Sequence, residues 1–142
     1  ASTAAAITVT SLSAGRAALR KRTGINGAVL DLSAAILLVG PDKETEAQQI
    51  VAPIQAQQAG NVNPFSGTLE VVATARITGN AWYVFASPDD LPCFEWGLLE
   101  GYDAPRFRVE DIFGTQGTAM TLEHDFGCGA IDYRGGYRNA GA

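Results

Sequence analysis

The 142-residue sequence predicts an α+β fold, with helices packed on a mixed, mostly antiparallel sheet. Segments with helical spacing lie in the first third of the chain, around Leu12–Leu19 and Ala47–Ile54. From Leu69 onward, short strand-like segments follow one another, separated by Gly, Pro and Asn. Between the helical segments, Ile36-Leu37-Leu38-Val39 has the unbroken apolar character of a strand buried on both faces.

Each element has its own signal. Ser11 is placed to cap a helix running to about Thr23, with Leu12, Gly15, Ala18 and Leu19 as a narrow apolar stripe. Gly24 suits the C′ position that ends it, and Asn26-Gly27 marks a turn. Gly40-Pro41 closes the buried strand. A second helix is expected from about Asp42, with Ala47, Ile50, Val51 and Ile54 on one face, until Pro53 kinks or ends it. Gln55 to Asn63 is polar and reads as a loop. Strands are expected at Leu69–Ile77, Ala81–Ala86, Phe94–Glu100, Arg106–Val109, Ala119–Glu123 and Gly129–Tyr137. In the last of these, alternation puts Ile131, Tyr133 and Tyr137 on a buried face and Asp132, Arg134 and Arg138 on an outer one.

Composition bounds the function. With 46% hydrophobic and 18% charged residues, the chain suits one globular domain, 1–142, with its own core. Its longest apolar run, Ala34 to Val39, is far short of the roughly 20 residues a bilayer span needs. Ala1–Ala6 lacks the basic start of a signal peptide, and a chain beginning at Ala1 suggests a fragment or processed product. Cys93 and Cys128 have no C-x-x-C spacing and read as two buried thiols. A net charge of −5 argues against a dedicated nucleic-acid binder. The distribution is uneven: residues 1–22 hold four bases (Arg16, Arg20, Lys21, Arg22) and no acid, whereas the rest hold six bases and fifteen acids. The basic cluster suits a helix C-terminus, and equally a positive surface meeting an acidic one on a neighbouring copy.

No constellation supports catalysis. His124 is the sole histidine, and Asp125 beside it in a strand would point to the opposite face, unable to orient the ring. One histidine and two separated cysteines fall short of a zinc site. Asp125-Phe126-Gly127 echoes a kinase motif without its companions. Asp89-Asp90 reads as a solvated turn after Pro88. Glu95, Glu100 and Asp103 could form a carboxylate pair, although Glu95 alternates with Phe94 and Trp96 and so faces water or a neighbour. No nucleotide-binding glycine motif occurs. Trp82, Tyr83, Phe85, Phe94 and Trp96 read chiefly as core, with one or two as contact anchors.

Three segments then carry a resemblance: Trp82-Tyr83-Val84-Phe85-Ala86-Ser87-Pro88, Phe94-Glu95-Trp96-Gly97-Leu98-Leu99-Glu100-Gly101, and Asp125-Phe126-Gly127-Cys128-Gly129-Ala130-Ile131-Asp132-Tyr133-Arg134-Gly135-Gly136-Tyr137. Preceded in order by Leu37-Leu38-Val39 and Asn61-Val62-Asn63-Pro64-Phe65-Ser66-Gly67, they resemble the C-terminal region of Mu-like phage major head subunits. The resemblance implies a Hong Kong 97-type capsid fold, no catalytic residues and no cofactor. It implies a virion protein, made in the host cytoplasm, that self-associates into hexamers and pentamers with other virion or scaffold proteins. Such subunits are about twice this length, so the chain corresponds to the axial domain plus a returning strand of the peripheral domain. The missing spine helix would leave an apolar patch uncovered.

The expected subunit-interface residues are Arg16, Arg20, Arg22, Glu95, Trp96, Arg134, Tyr137 and Arg138. The rival expectations are a small hydrolase or ligand-binding domain, with a pocket near Trp82 and Trp96 lined by Glu95 and Glu100, and a scaffold or adaptor protein of the same virus.

Overall fold

Thr8 opens the first helix, α1 (Val9–Arg20). From an extended backbone (φ −140°, ψ 162°) its hydroxyl accepts from the Ser11 N–H at 3.1 Å, while Ser11 Oγ accepts from the Thr8 N–H at 2.9 Å. Two backbone donors that the first turn would leave orphaned are satisfied reciprocally. The cap is thus three residues earlier than expected. Both positions carry a hydroxyl, and Ser11 occupies the N3 place usually held by Glu or Gln. Thr8→Ala should cost about 1 kcal/mol of unfolding free energy, read from the midpoint of a urea titration. At the other end Lys21 is the C-cap, so Gly24 is not the C′ residue; the chain instead turns at Asn26-Gly27 (Gly27 φ 80°) and bridges Thr23 to Val29.

The computed structural model describes residues 4–52, 67–114 and 116–142. The second helix is α2 (Glu44–Val51), after a 3-10 turn at Pro41–Lys43. The expected stop at Pro53, Ile54 and the loop Gln55–Asn63 lie outside the described residues. The strands are β1 (Ala34–Val39), β2 (Glu70–Ala73), β3 (Trp82–Ala86), β4 (Phe94–Leu98), β5 (Arg106–Asp111), β6 (Thr118–Glu123), β7 (Phe126–Ala130) and β8 (Gly136–Asn139). They divide between two compact units, one formed by Ala1–Cys93 with Asp132–Ala142 and the other by Phe94–Ile131.

The first unit is built on a four-stranded sheet in the order β2-β1-β3-β8, with β1 and β2 parallel and the other pairs antiparallel. Register fixes its inner face. Val39, Trp82 and Asn139 form one row across the sheet, and Leu37, Val84 and Tyr137 form the next. Leu12 and Leu19 of α1 and Ala47 of α2 complete the same buried cluster. Gly15 lets α1 approach closely, because a Cβ there would meet the Tyr137 ring at 3.1 Å. Across the sheet Leu38 and Ile36 lie beside Tyr83 and Phe85, which stack with centroids 6.4 Å apart and are only half-buried.

The last expected strand is two strands separated by a turn. Asp132 caps a 3-10 turn at Tyr133–Gly135 by accepting from the Arg134 N–H at 2.9 Å, and only then does β8 begin. The turn breaks the alternation. Tyr133 is 78% exposed and Ile131 56% exposed, so neither joins Tyr137, which packs 5.8 Å from Trp82. Gly135 fits that turn because a Cβ would come within 2.7 Å of Cys93 Sγ and 2.8 Å of the Leu91 carbonyl.

The second unit enters and leaves through one paired rung, Phe94 opposite Ala130. From there the β4–β7 ladder runs to Leu98 opposite Phe126, and the β5–β6 ladder from Arg106 opposite Glu123 to Asp111 opposite Thr118. Both are antiparallel two-stranded ribbons. Arg106 binds the joint between them: its guanidinium pairs with Asp125 and, at 3.7 Å, Glu123, and lies 3.9 Å above the Tyr102 ring.

Candidate functional site

Register sorts the side chains of the second unit onto two unlike faces. On β5–β6, Phe107 stands opposite Leu122 and Val109 opposite Met120, while Arg106, Arg108 and Glu110 occupy the other face. On β4–β7, Phe94, Trp96 and Leu98 share a face with Ala130, Cys128 and Phe126. The reverse face carries Glu95 and otherwise bare glycine backbone at Gly97, Gly127 and Gly129. This is the pattern of half-buried sheet, yet the apolar side is open: Trp96 is 72% exposed, Leu122 70% and Met120 69%. Scattered apolar residues are ordinary on a surface, whereas a contiguous apolar ribbon marks an interaction surface.

The aromatics therefore part company. Trp82 is fully buried, Tyr83 and Phe85 are half-buried, and Phe94 and Trp96 are exposed, contrary to a core role for these two. Trp82 is sealed in the first unit's core and is not among the residues that line the groove along β4 and β7. The groove of about 920 Å³ along β4 and β7 is bounded by Glu95, Trp96, Phe126 and Cys128 and is open, and Glu100 is not among its lining residues.

Cys128 is exposed on that ribbon, contrary to the expectation of two buried thiols; an alternating strand buries a thiol only if something covers its face. Cys93 is half-buried, and desolvation followed by the nearby Asp132 carboxylate raises its pKa. Iodoacetamide at neutral pH should accordingly label Cys128 first, with Cys93 lagging until the solution is made more alkaline, as read by peptide mass spectrometry.

The charged residues expected at an interface are dispersed. Arg20 pairs with Asp31 at 2.7 Å, and Arg16 is half-buried. Arg138 is exposed on β8, and Tyr137 places its ring in the core against Trp82 and Gly15. Two of them do converge. Arg22 and Arg134, with Lys21, Thr23 and Tyr133, line a cavity of about 470 Å³ in the first unit. Arg22 Nη2 donates to the Gly136 carbonyl at 3.4 Å, and Arg134 pairs with Asp132 at 3.3 Å.

Residues associated with chemistry do not gather. His124 is exposed beside Phe126, with centroids 5.8 Å apart. Asp89 and Asp90 sit in the expected turn, where Ser33 Oγ donates to Asp90 Oδ2 at 2.8 Å. Among the described residues, no cluster of three His, Cys, Asp or Glu could hold a metal ion, and no helix is long and apolar enough to cross a membrane.

A family model described as phage capsid protein matches residues 1–139. The chain belongs to the phage capsid protein family. No curated protein and no solved structure matches it. Family membership makes this a structural protein of the virion, a major capsid subunit that self-associates into the shell with other virion proteins. That role suits a surface that presents an apolar ribbon. The capsid family is non-enzymatic, and nothing favours a hydrolase. Sequence reasoning passed over Phe107, Val109, Met120 and Leu122 as surface residues, although their strict alternation with charge was a usable signal.

Proposed function

We propose that the protein is the major head subunit of a tailed phage or prophage, of the Mu-like, Hong Kong 97-type kind, and that it builds hexameric and pentameric capsomers. It folds in the host cytoplasm and ends in the virion. The observation that carries this reading is the open apolar face of the β4–β7 and β5–β6 ribbons on a chain of the capsid family. A face of that composition is stable in water only when something covers it, and a closed lattice supplies several neighbours at once. In this reading the chain is the axial domain of a longer subunit together with a returning strand of its peripheral domain. Arg16, Arg20, Arg22, Glu95, Arg134 and Arg138 offer polar contacts and Trp96 an apolar one, and charge sets orientation more than affinity.

The test is assembly of the full-length gene product, followed by light scattering and negative-stain electron microscopy. Capsomers or shells are expected; a product that stays monomeric at high concentration overturns the reading. The protein acts without catalysis, so His124→Ala should leave the yield and diameter of assemblies unchanged in the same assay.

A further inference from the structure

Charge is divided unequally between the two units. The ribbon unit, Phe94–Ile131, holds seven acids and two arginines, a net of −5, which is the whole net charge of the chain. The sheet unit holds eight acids and eight bases and is neutral overall. Within it, however, bases are concentrated at the cavity lined by Lys21, Arg22 and Arg134, and no acid lines that cavity. Arg134 is partly neutralised by Asp132 beside it. Among the described residues Arg22 makes no ion pair: its Nη2 donates to the Gly136 carbonyl, and its Nε is buried with no hydrogen-bond partner. A buried guanidinium N–H left unpaired is costly, and its natural complement is a carboxylate.

The ribbon unit has carboxylates to offer. Arg106 engages Glu123 and Asp125 near the ribbon joint. Glu110 and Asp111, at the far end of β5 beside the turn to β6, are exposed and make no ion pair among the described residues. The neighbouring cation on β5, Arg108, makes none either.

We propose that the Lys21–Arg22–Arg134 cavity is the seat for the β5–β6 tip of a second copy, whose Glu110 and Asp111 carboxylates pair with the guanidinium and ammonium groups there. The proposal rests on the self-assembly reading above and specifies one of its contacts. Because the tip and the seat are different surfaces, the contact is heterologous: each copy gives a tip and receives one. Such contacts close into rings when the rotation permits. Placing two acids against three bases also selects the direction of addition, since two tips or two seats repel.

Charge exchange in the full chain tests it. Arg22→Glu with Arg134→Glu, and separately Glu110→Lys with Asp111→Lys, should each weaken association on the order of 10- to 100-fold at low salt, with circular dichroism unchanged. Mixed in equal amounts, the two variants should assemble together, because each then has the complement of the other's altered surface. If the arginine variant does not fold, Arg22→Gln with Lys21→Gln takes its place, with a smaller loss in the same direction. Wild-type assembly accompanied by unimpaired assembly of both variants, or by variants that fail to rescue each other, overturns the seat and leaves the capsid reading standing. Assembly unchanged while binding to duplex DNA is lost in the arginine variant also overturns it, in favour of nucleic acid at that cavity. A wild type that does not assemble at all removes the underlying reading, and the seat with it.

Discussion

Replacing Trp82 with alanine should cost the sheet unit about 3–5 kcal/mol, the range for a buried aromatic truncated to a methyl group. Trp82 is fully buried between Val39 and Asn139 and packs against Tyr137. Its indole Nε1 donates to the Ala5 carbonyl at 2.9 Å, while Asn139 Oδ1 accepts from the Ala5 N–H at 3.0 Å. Losing the ring therefore opens a cavity and also frees the indole's bond to Ala5, one of those that fasten the chain before α1. Against a total stability of about 5–15 kcal/mol for a typical domain, this single change is decisive. The measurement is the urea midpoint followed by far-ultraviolet circular dichroism. An unchanged midpoint would refute the placement of Trp82 at the centre of the sheet.

The second large effect belongs to the ribbon. Phe107→Ser combined with Leu122→Ser removes one apolar cross-strand pair from the open face. Covering a large apolar side chain completely is worth about 1.5–3 kcal/mol, so the pair should account for a 10²- to 10⁴-fold change in association. Sedimentation velocity should show capsomers or shells replaced by small species. The thermal transition of the sheet unit should stay where it was, because neither residue belongs to its core. Assembly that proceeds normally with both serines in place would mean that this face is not the contact.

Much of the sheet unit was legible because its signals are local. The apolar run of β1 and the stripe Leu12–Gly15–Leu19 each reflect burial by a neighbour close at hand, although β1 is buried on one face only, Leu37 and Val39 lying in the core while Ile36 and Leu38 are half-buried. The errors have physical causes too. Thr8 and Ser11 can each cap a helix, and spacing alone does not say which one stands at its edge. The segment through Ile131 and Tyr133 keeps a period of two by coincidence, and the Asp132 cap that interrupts it depends on a backbone bend. For the ribbons, alternation correctly indicates strands with one apolar face. Nothing in a pattern says whether the cover comes from the same molecule. The cavity is harder still: Arg22 and Arg134 meet only because the last strand returns beside α1, a long-range event with no local trace.

The single rung at Phe94 and Ala130, through which the ribbon unit begins and ends, has a consequence for how such a subunit can change over generations. An insertion whose two ends are already neighbours can lengthen or shorten without disturbing the sheet that hosts it. Strand pleating restricts the increments. One residue added to each strand turns every later side chain to the opposite face, whereas two restore the apolar side to its place about 7 Å further out. The ribbon is in effect a ruler graduated in residue pairs, and related shells could differ in reach by whole graduations while keeping the same host sheet.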